Sequence, residues 1–193
     1  ESVTGSRFLV EAGNFRFLFD CGLFQGLKAL RLRNWEEFPI DPASIDAVVI
    51  SHAHIDHTGY LPKLVKDGFS GAIYCTKPTA DLIEIMLLDS AKLQEEEAQY
   101  ARKKGYSKHA NPLALYEEKD VRETLPLLHA LNYDERIAIH KGIDIIFKDA
   151  GHLLGSAITE VFIKGDQQSK KLVFSGDLGR YQQAVLRQPT AIE

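Results

Sequence analysis

The amino-acid sequence predicts an α/β (α+β) domain in which two β-sheets are covered by helices. Short segments that alternate or run apolar, as strands do, occur near both ends of the chain. Segments with apolar residues at three- and four-residue spacings, typical of helices, occupy the middle. No repeat of fixed period and no flexible linker interrupts them. We therefore expect the 193 residues to form one domain, or one and a fraction.

The first half of the chain predicts a β-hairpin followed by alternating helices and strands. Residues 6–12 and 15–19 alternate about Gly13-Asn14, which is typical of a hairpin. The elements expected next are a helix from Lys28 to Phe38 closed by Pro39 and Pro42, a buried strand over 47–50, a helix from Thr58 to Lys66, a strand over 72–75 and a helix over 79–104. The helix over 79–104 is apolar in its first half and charged in its second half. We therefore expect the first half to lie in the core and the second half to be solvated.

The second half returns to strands. Gly105 to Pro112 predicts a loop, and Glu117 to Leu128 predicts a helix that is weakened by Pro126. Strands are expected over 136–140, 143–148, 157–164 and 171–175, with turns at Lys141-Gly142 and Gly165-Asp166.

Composition is that of a globular domain. Hydrophobic residues make up 45% and charged residues 26%, which excludes collagenous, low-complexity and disordered classes. Apolar runs stay far below the ~18 residues of a spanning helix. The opening residues 1–5 lack the basic start of a secretory signal, and they include no methionine, so we expect no membrane span, no leader and a trimmed start.

Net charge and cysteine content limit the binding partners and the cellular compartment that we expect. A formal net charge of -4 gives no global attraction to nucleic acid, so a polyanion must be held by a local patch or by another part of the protein. The two cysteines, Cys21 and Cys75, are too few for a disulfide framework. They predict reduced, buried thiols in a cytoplasmic protein.

Three histidines and an aspartate follow directly after the strand expected over 47–50. The segment reads Ser51-His52-Ala53-His54-Ile55-Asp56-His57. In extended geometry His52 and His54 share a side, while Asp56 and His57 come around on the turn into the next helix. Imidazole and carboxylate ligands suit zinc or a similar divalent transition metal. The alternative is a polar turn that happens to be rich in histidine.

Four ordered motifs resemble those of the metallo-β-lactamase superfamily. They are Phe19-Asp20-Cys21-Gly22, Ser51-His52-Ala53-His54-Ile55-Asp56-His57-Thr58-Gly59, Gly151–Ala157 and Phe174–Arg180. The stretches at 3–6, 20–26, 90–96 and 151–157 are similar to the β-CASP nucleases, the branch that contains the pre-mRNA 3′-end endonuclease subunit and its bacterial and archaeal RNA-cleaving relatives. The resemblance extends over essentially all 193 residues and implies a metallo-β-lactamase αββα sandwich.

The resemblance also implies zinc-dependent hydrolysis of RNA by a hydroxide that bridges two zinc ions. The implied ligands are His52, His54 and His152 for one ion, Asp56 and His57 for the second, and Asp177 as the bridge between both. Asp56 would also orient the nucleophile, and Asp20 would fix the histidine loop from behind the ligands. The expected partner is RNA, in single-stranded form. No membrane partner is expected, and a homodimer is left open.

Individual residues have other readings. His152 and Asp177 would each be read in isolation as turn residues. Beside the histidine cluster, both are expected to be ligands. Cys21 could be a soft metal ligand, but Asp20 fits the motif position and lone cysteines usually pack in cores.

Several cationic residues match none of the motifs. His109, His129 and His140 are interpreted as surface or packing histidines. Arg102-Lys103-Lys104, with Lys108 and His109, forms a basic cluster that could hold a phosphate backbone. The preferred interpretation is a solvated helix end, because cations complement the C-terminal end of a helix dipole.

The sequence departs from the family pattern after the fourth motif. There the β-CASP nucleases insert a further domain and later return to the first domain for a last histidine ligand, whereas this chain ends at 189–193. We therefore expect residues 1–193 to be the N-terminal part of a metallo-β-lactamase domain, without the β-CASP insertion and the C-terminal return segment. The sixth ligand, the proton donor and most of the RNA cleft would lie elsewhere in a longer enzyme.

Two other functions compete with RNA cleavage. One is a small-molecule hydrolase of the same superfamily that acts on esters, lactones or thioesters. The other is a catalytically silent scaffold subunit of an RNA-processing complex. Silent relatives typically lose ligands, whereas every ligand position that this chain includes is filled.

Overall fold

The protein, analysed as a computed structural model that describes residues 4–104, 112–165 and 168–192, contains two β-sheets. The first sheet has the order β1-β2-β3-β4-β5 and the second the order β6-β7-β8-β9. The strands are β1 (Phe8–Ala12), β2 (Phe15–Phe19), β3 (Ala47–Val49), β4 (Ala72–Thr76), β5 (Leu128–Leu131), β6 (Ile137–His140), β7 (Ile143–Asp149), β8 (Ala157–Ile163) and β9 (Lys170–Phe174).

Four of the five α-helices, α2 to α5, contribute to the core on one face of the first sheet. They are α1 (Lys28–Leu32), α2 (Ile55–Thr58), α3 (Leu61–Lys66), α4 (Lys77–Lys104) and α5 (Glu118–Thr124), and short 3₁₀ turns occur at 33–35, 42–44 and 125–127. The mixed architecture of two sheets with helices confirms the predicted fold class. In the described part of the chain, no helix is long and apolar enough to cross a membrane.

Strand direction determines where polar side chains can meet. Strands β2, β3, β4 and β5 are parallel to one another, while the second sheet is antiparallel throughout. The C-terminal ends of parallel strands lie at one edge of a sheet. Asp20 directly follows β2, the histidine segment follows β3, and Thr76 ends β4. These residues are therefore gathered at the same edge.

Two apolar cores hold the layers together. One lies between the first sheet and the helices and includes Leu18, Leu64 and Ile83, and the other lies between the two sheets and includes Phe17 and Phe147. Alternate residues of β2 therefore enter different cores, because successive side chains of a strand point to opposite faces. Each fully buried side chain of this size contributes about 1.5–3 kcal/mol relative to exposure. The first sheet is thus held on both faces.

Helix α4 confirms the prediction of a buried first half and a solvated second half. It begins at Lys77, two residues before the predicted start, and buries Ile83, Leu87 and Ala91 at four-residue intervals. After these, its buried residues are only the small Ala98 and Ala101. The charged second half is therefore solvated on most of its surface.

The helix predicted from Glu117 to Leu128 is wrong in its second half. It ends at Thr124, passes through a 3₁₀ turn that contains Pro126, and continues as β5. Proline lacks the backbone N–H that a helix interior requires. The following residues instead pair with the open edge of β4, where Tyr74 lies opposite His129. Tertiary strand pairing has overridden the local helical pattern.

The helix predicted from Thr58 to Lys66 is two short helices. Helix α2 already begins at Ile55, and the break comes at Gly59 and Tyr60. The Tyr60 N–H donates to the carbonyl of Cys21 at 3.0 Å, and the carbonyl of Asp56 accepts from Ser6 at 2.8 Å. Both groups would otherwise continue the helical ladder, so pairing with the first segment of the chain interrupts it.

The helix predicted from Lys28 to Phe38 is shorter than expected. Its α-helical part ends at Leu32 and a 3₁₀ turn covers 33–35. The segment Gly105–Asn111 of the predicted loop, with Lys108 and His109 of the basic cluster, and Asp166 of the predicted turn lie outside the described residues.

Candidate metal centre

Four side chains from distant parts of the chain converge at the edge of the sheets. His52, His54, His152 and Asp177 each offer one ligand atom, and these atoms all lie within 4.8 Å of one another. The Nδ1 atom of His54 is 3.0 Å from Nε2 of His52 and 3.3 Å from Nε2 of His152. Oδ2 of Asp177 is 3.8 Å from Nε2 of His52 and 3.7 Å from Nε2 of His152. We call these residues the first ligand group.

The spacing of the first ligand group fits a tetrahedral ion. Zinc bonds to nitrogen and oxygen ligands are about 2.0–2.2 Å long, so donors around one ion lie about 3.3 Å apart. Four of the six separations between these donors run from 3.0 to 3.8 Å, and all six are at most 4.8 Å. Three imidazoles and one carboxylate also have the chemistry of a zinc site.

A second ligand group shares the same aspartate. Nε2 of His57 lies 3.6 Å from Oδ1 of Asp177 and 3.9 Å from Oδ2 of Asp56. Asp177 therefore directs Oδ2 toward the first group and Oδ1 toward His57. A carboxylate with one oxygen on each side can connect two cations.

Asp20 lies behind the second ligand group. Its carboxylate accepts hydrogen bonds from the Ser51 N–H at 2.8 Å, from the Ser51 hydroxyl at 2.9 Å and from Nδ1 of His57 at 2.7 Å. The bond to Nδ1 selects the tautomer of His57 and leaves Nε2 free on the ligand side. Asp20 thereby links the end of β2 to the histidine segment after β3.

Burial and this hydrogen bond act in opposite directions on the pair. Burial raises the pKa of Asp20 above its ordinary value, and the hydrogen bonds from His57 and Ser51 only partly offset it. For His57, burial lowers the pKa, but the hydrogen bond and charge of Asp20 together with the charges of Asp177 and Asp56 raise it overall.

Two imidazoles of the first ligand group, those of His52 and His54, are held in their neutral form. Burial, with the charges of His57, His54 and His152, lowers the pKa of His52 to about 2. Burial and then His152 lower the pKa of His54. Neutral imidazole is the form that binds a metal ion. These residues therefore present unprotonated nitrogens at neutral pH.

Asp177 reaches the site on a loop that follows β9 and passes very close to the histidine segment. Gly176 precedes it with φ +54°, and a Cβ atom there would lie 2.7 Å from Cβ of Ser51. Glycine is the residue that accepts this backbone conformation and this contact. Any larger residue at 176 would push the Asp177 loop away from the cluster.

All six predicted ligand positions lie together at this edge, whereas the other candidates do not. Cys21 is fully buried, burial raises the pKa of its thiol to about 12, and the four-residue cluster of ligand atoms does not include it. Cys75 is likewise a free, buried thiol. His140 stacks on Phe15, and His129 lies exposed beside Tyr74, as expected of packing and surface histidines.

Sequence reasoning assigned no role to several hydroxyl groups around the site. Ser51 contacts Asp20 and Nδ1 of His52, while Thr76, Thr79 and Tyr133 contact the loop that carries His152. Threonines near the start of a helix are ordinarily read as caps. No local pattern distinguishes the hydroxyls of Thr76, Thr79 and Tyr133, since their partners lie in the loop between two strands of the second sheet.

The sheet architecture and ligand cluster agree with a family match over nearly the whole chain. The family model described as the metallo-β-lactamase superfamily matches residues 4–187. The chain belongs to this superfamily. Its members depend on metal ions, typically zinc, and the histidine and aspartate cluster supplies suitable donors.

Curated metallo-β-lactamase relatives bear names from RNA metabolism. Ribonuclease TTHA0252 of Thermus thermophilus is 38% identical over 188 residues, which is 97% of this chain and 38% of that protein. Transcription termination factor FttA of Methanosarcina mazei is 35% identical, with 98% of this chain and 27% of that protein covered. Cleavage and polyadenylation specificity factor subunit 3-I of Arabidopsis thaliana is 30% identical, with 88% and 22% covered. These relatives confirm the resemblance to the β-CASP RNA nuclease branch, and this chain spans well under half the length of each.

Solved structures of metallo-β-lactamases share the fold at low sequence identity. A Cronobacter sakazakii metallo-β-lactamase with a HARLDQ motif is 19% identical with a TM-score of 0.51, and the match covers 91% of this chain and 54% of that one. A B3 metallo-β-lactamase with an active-site glutamic acid is 17% identical with a TM-score of 0.50, covering 95% and 67%. The likeness concerns the fold alone.

Proposed function

We propose that this protein is a zinc-dependent hydrolase that cleaves RNA phosphodiester bonds in RNA processing or degradation. The observation that carries the proposal is the position of Asp177, with one carboxylate oxygen toward each of two ligand groups. The relatives named as a ribonuclease and as a cleavage and polyadenylation factor support RNA as the substrate. A cytoplasmic location stays a prediction, and a homodimer stays open.

The two ligand groups would hold two zinc ions. His52, His54 and His152 would bind the first ion, Asp56 and His57 the second, and Asp177 would contact both. When bound, such ions lower the pKa of water and neutralise charge on an attacked phosphodiester.

The chain's own residues would provide orientation and charge. Asp56, whose side chain is partly exposed beside His57, would accept a hydrogen bond from the attacking water and direct it toward the phosphorus. Asp20 would keep Nε2 of His57 aimed at the site through its bond to Nδ1. Asp177 would supply the negative charge that allows two cations to approach each other.

The cluster is open to solvent in the described part of the chain. His54 is exposed, and 39% of the Asp177 side chain is accessible to solvent. A strand of RNA can reach such a surface site with its backbone phosphates. The main alternative is a small-molecule hydrolase of the same superfamily, and the next is a silent scaffold subunit.

We further propose that residues 1–193 are the N-terminal part of a metallo-β-lactamase domain in a longer enzyme. The partial coverage of the relatives supports this proposal. The β-CASP insertion and the return segment would then add the sixth ligand, the proton donor and the opposite wall of the RNA cleft. The 193-residue chain would be an incomplete enzyme by itself.

An RNA cleavage assay tests the function and the proposed domain organisation together. We expect a longer chain that includes a β-CASP segment to cleave labelled RNA with zinc and to leave a generic ester intact. The 193-residue chain should be slower by several orders of magnitude, because positioning can supply about 7–11 kcal/mol of a barrier. The measurement is a single-turnover assay of both chains on the same RNA at saturating zinc.

Three results would contradict these proposals. Ester hydrolysis without RNA cleavage would favour the small-molecule hydrolase. A longer chain that binds zinc normally and cleaves neither substrate would favour the scaffold. Equal rates for the two chains would show that the active site is already complete within residues 1–193.

Zinc stoichiometry is expected to be unequal at the two ligand groups of the 193-residue chain. The first group offers four donors, whereas the second offers only Asp56, His57 and the shared Asp177. Four ligands complete a tetrahedral site. Titration with zinc against a chromophoric chelator should show one tight ion per chain and a second that binds more weakly. Two ions of equal affinity would contradict this assignment of donors.

A further inference from the structure

The loop that carries His152 is held by contacts with the first sheet. It covers 151–156, between β7 and β8, and has no helix or strand of its own. Gly155 approaches the end of β4 and the start of α4 so closely that a Cβ atom there would lie 2.6 Å from Oγ1 of Thr79. It also has φ +86°, a backbone conformation that favours glycine.

Two threonine hydroxyls, which lie 2.9 Å from each other, are both within hydrogen-bond distance of one carbonyl of this loop. Oγ1 of Thr76 lies 2.7 Å from the Gly155 carbonyl oxygen, and Oγ1 of Thr79 lies 2.8 Å from the same atom. Thr76 is 1% exposed and Thr79 is fully buried. A carbonyl oxygen has two lone pairs and can accept both bonds. The pair joins the end of β4 and the first turn of α4 to a loop of the second sheet.

Ser156, which follows Gly155, connects this contact to the backbone of His152. The Ser156 hydroxyl accepts from the backbone N–H of His152 at 3.0 Å and of Leu153 at 3.2 Å. The carbonyl of Ser156 accepts from the Tyr133 hydroxyl at 2.8 Å. The backbone of His152 is therefore tied to Ser156, and Ser156 directly follows the carbonyl that the threonines hold.

We propose that Thr76 and Thr79 are positioning residues for the first ligand group, acting through the Gly155 carbonyl on the loop that carries His152. This inference rests on the proposed function only in assigning His152 as a metal ligand. Neither threonine touches the ligand atoms. Groups behind a metal ligand that fix its orientation typically change metal affinity by about 10-fold to 100-fold when they are removed.

The test compares valine variants, which keep the shape of threonine and remove the hydroxyl. In Thr76→Val or Thr79→Val the Gly155 carbonyl keeps one donor, so we expect zinc affinity to fall only a few-fold. In the variant with both substitutions, the Gly155 carbonyl loses both hydroxyl donors. The affinity for the tight zinc ion should then fall by about 10-fold to 100-fold. Thr79→Ser, which keeps the hydroxyl, should bind zinc like the parent.

Thr124→Val is the matched control. Thr124 is also fully buried, and its hydroxyl also donates to a backbone carbonyl, that of Asp120 at 2.8 Å, but it lies in α5. It should lower the midpoint of thermal unfolding without changing zinc affinity. The readouts are chelator competition for zinc, the visible absorption spectrum of bound cobalt and thermal unfolding of the metal-free protein.

The outcomes separate positioning from general stability. A loss of zinc affinity and an altered cobalt spectrum in the double variant, with both unchanged in Thr124→Val, would support the proposal. Unchanged affinity in a folded double variant, or an equal loss in the control, would overturn it. If the double variant does not fold, parent-like affinity and an unchanged cobalt spectrum in both single variants would also overturn it. Because metal binding is read directly, a parent that binds zinc without cleaving RNA would contradict only the proposed function.

Discussion

Replacing Asp177 by asparagine in the longer enzyme is expected to abolish RNA cleavage and leave the fold intact. The amide keeps the shape of the side chain but removes the negative charge that faces both ligand groups. Two unit charges about 4 Å apart interact by about 4 kcal/mol near a protein surface, which corresponds to roughly a thousandfold change in rate. The loss should therefore be at least of this order.

The measurement combines single-turnover cleavage with circular dichroism and thermal unfolding. Asp134→Asn is a suitable control, because Asp134 is an exposed aspartate paired with Lys148 at 2.7 Å and belongs to neither ligand group. The control should cleave RNA like the parent. Substantial cleavage by Asp177→Asn would mean that this carboxylate is a turn residue and that two ions are not bridged here.

Removing a histidine of the first ligand group is expected to remove the tight zinc ion. Structural zinc sites with four ligands bind with about 10–16 kcal/mol, so one ligand contributes roughly 3–4 kcal/mol, or on the order of a hundredfold to a thousandfold in affinity. His54→Ala is the cleaner variant because His54 is exposed. His52→Ala should have a similar effect on zinc but should also lower the unfolding midpoint, because His52 is fully buried.

Elemental analysis of purified protein measures this effect directly. His129→Ala is the control, since that histidine is exposed and contacts Tyr74 rather than the cluster. It should retain the parent metal content. A parent without any transition metal, or variants at 52 and 54 that keep it, would remove the basis for the proposed zinc chemistry.

Most strands and the long helix could be predicted because their patterns are local. The apolar residues of α4 recur at helical spacing, and the hairpin of β1 and β2 turns at Gly13-Asn14. The error over 128–131 has the opposite origin. That segment is a strand because β4 offers an open edge to pair with, and such an edge does not exist until the sheet has formed.

The residues of the candidate site also fall into those that are close in sequence and those that only the fold brings together. His52, His54, Asp56 and His57 occupy one short segment, so their proximity follows from the sequence itself. Asp177 and His152 are distant in sequence, and only the resemblance to a known family placed them in the same site before the structure did so. The spacing of residues along a chain contains no direct information about which loops meet.

The sequence by itself determined the fold class and the dense histidine segment after a buried strand, whose imidazole and carboxylate donors suit a metal ion. Only the tertiary structure decided which oxygen of Asp177 faces which ligand group, how Asp20 selects the tautomer of His57, and that two threonine hydroxyls hold the loop of His152. The physical reason is the distance along the sequence over which each kind of interaction acts. Hydrophobic periodicity acts between near neighbours, whereas hydrogen bonds between loops depend on strand order and sheet packing, which bring distant residues within a few ångströms.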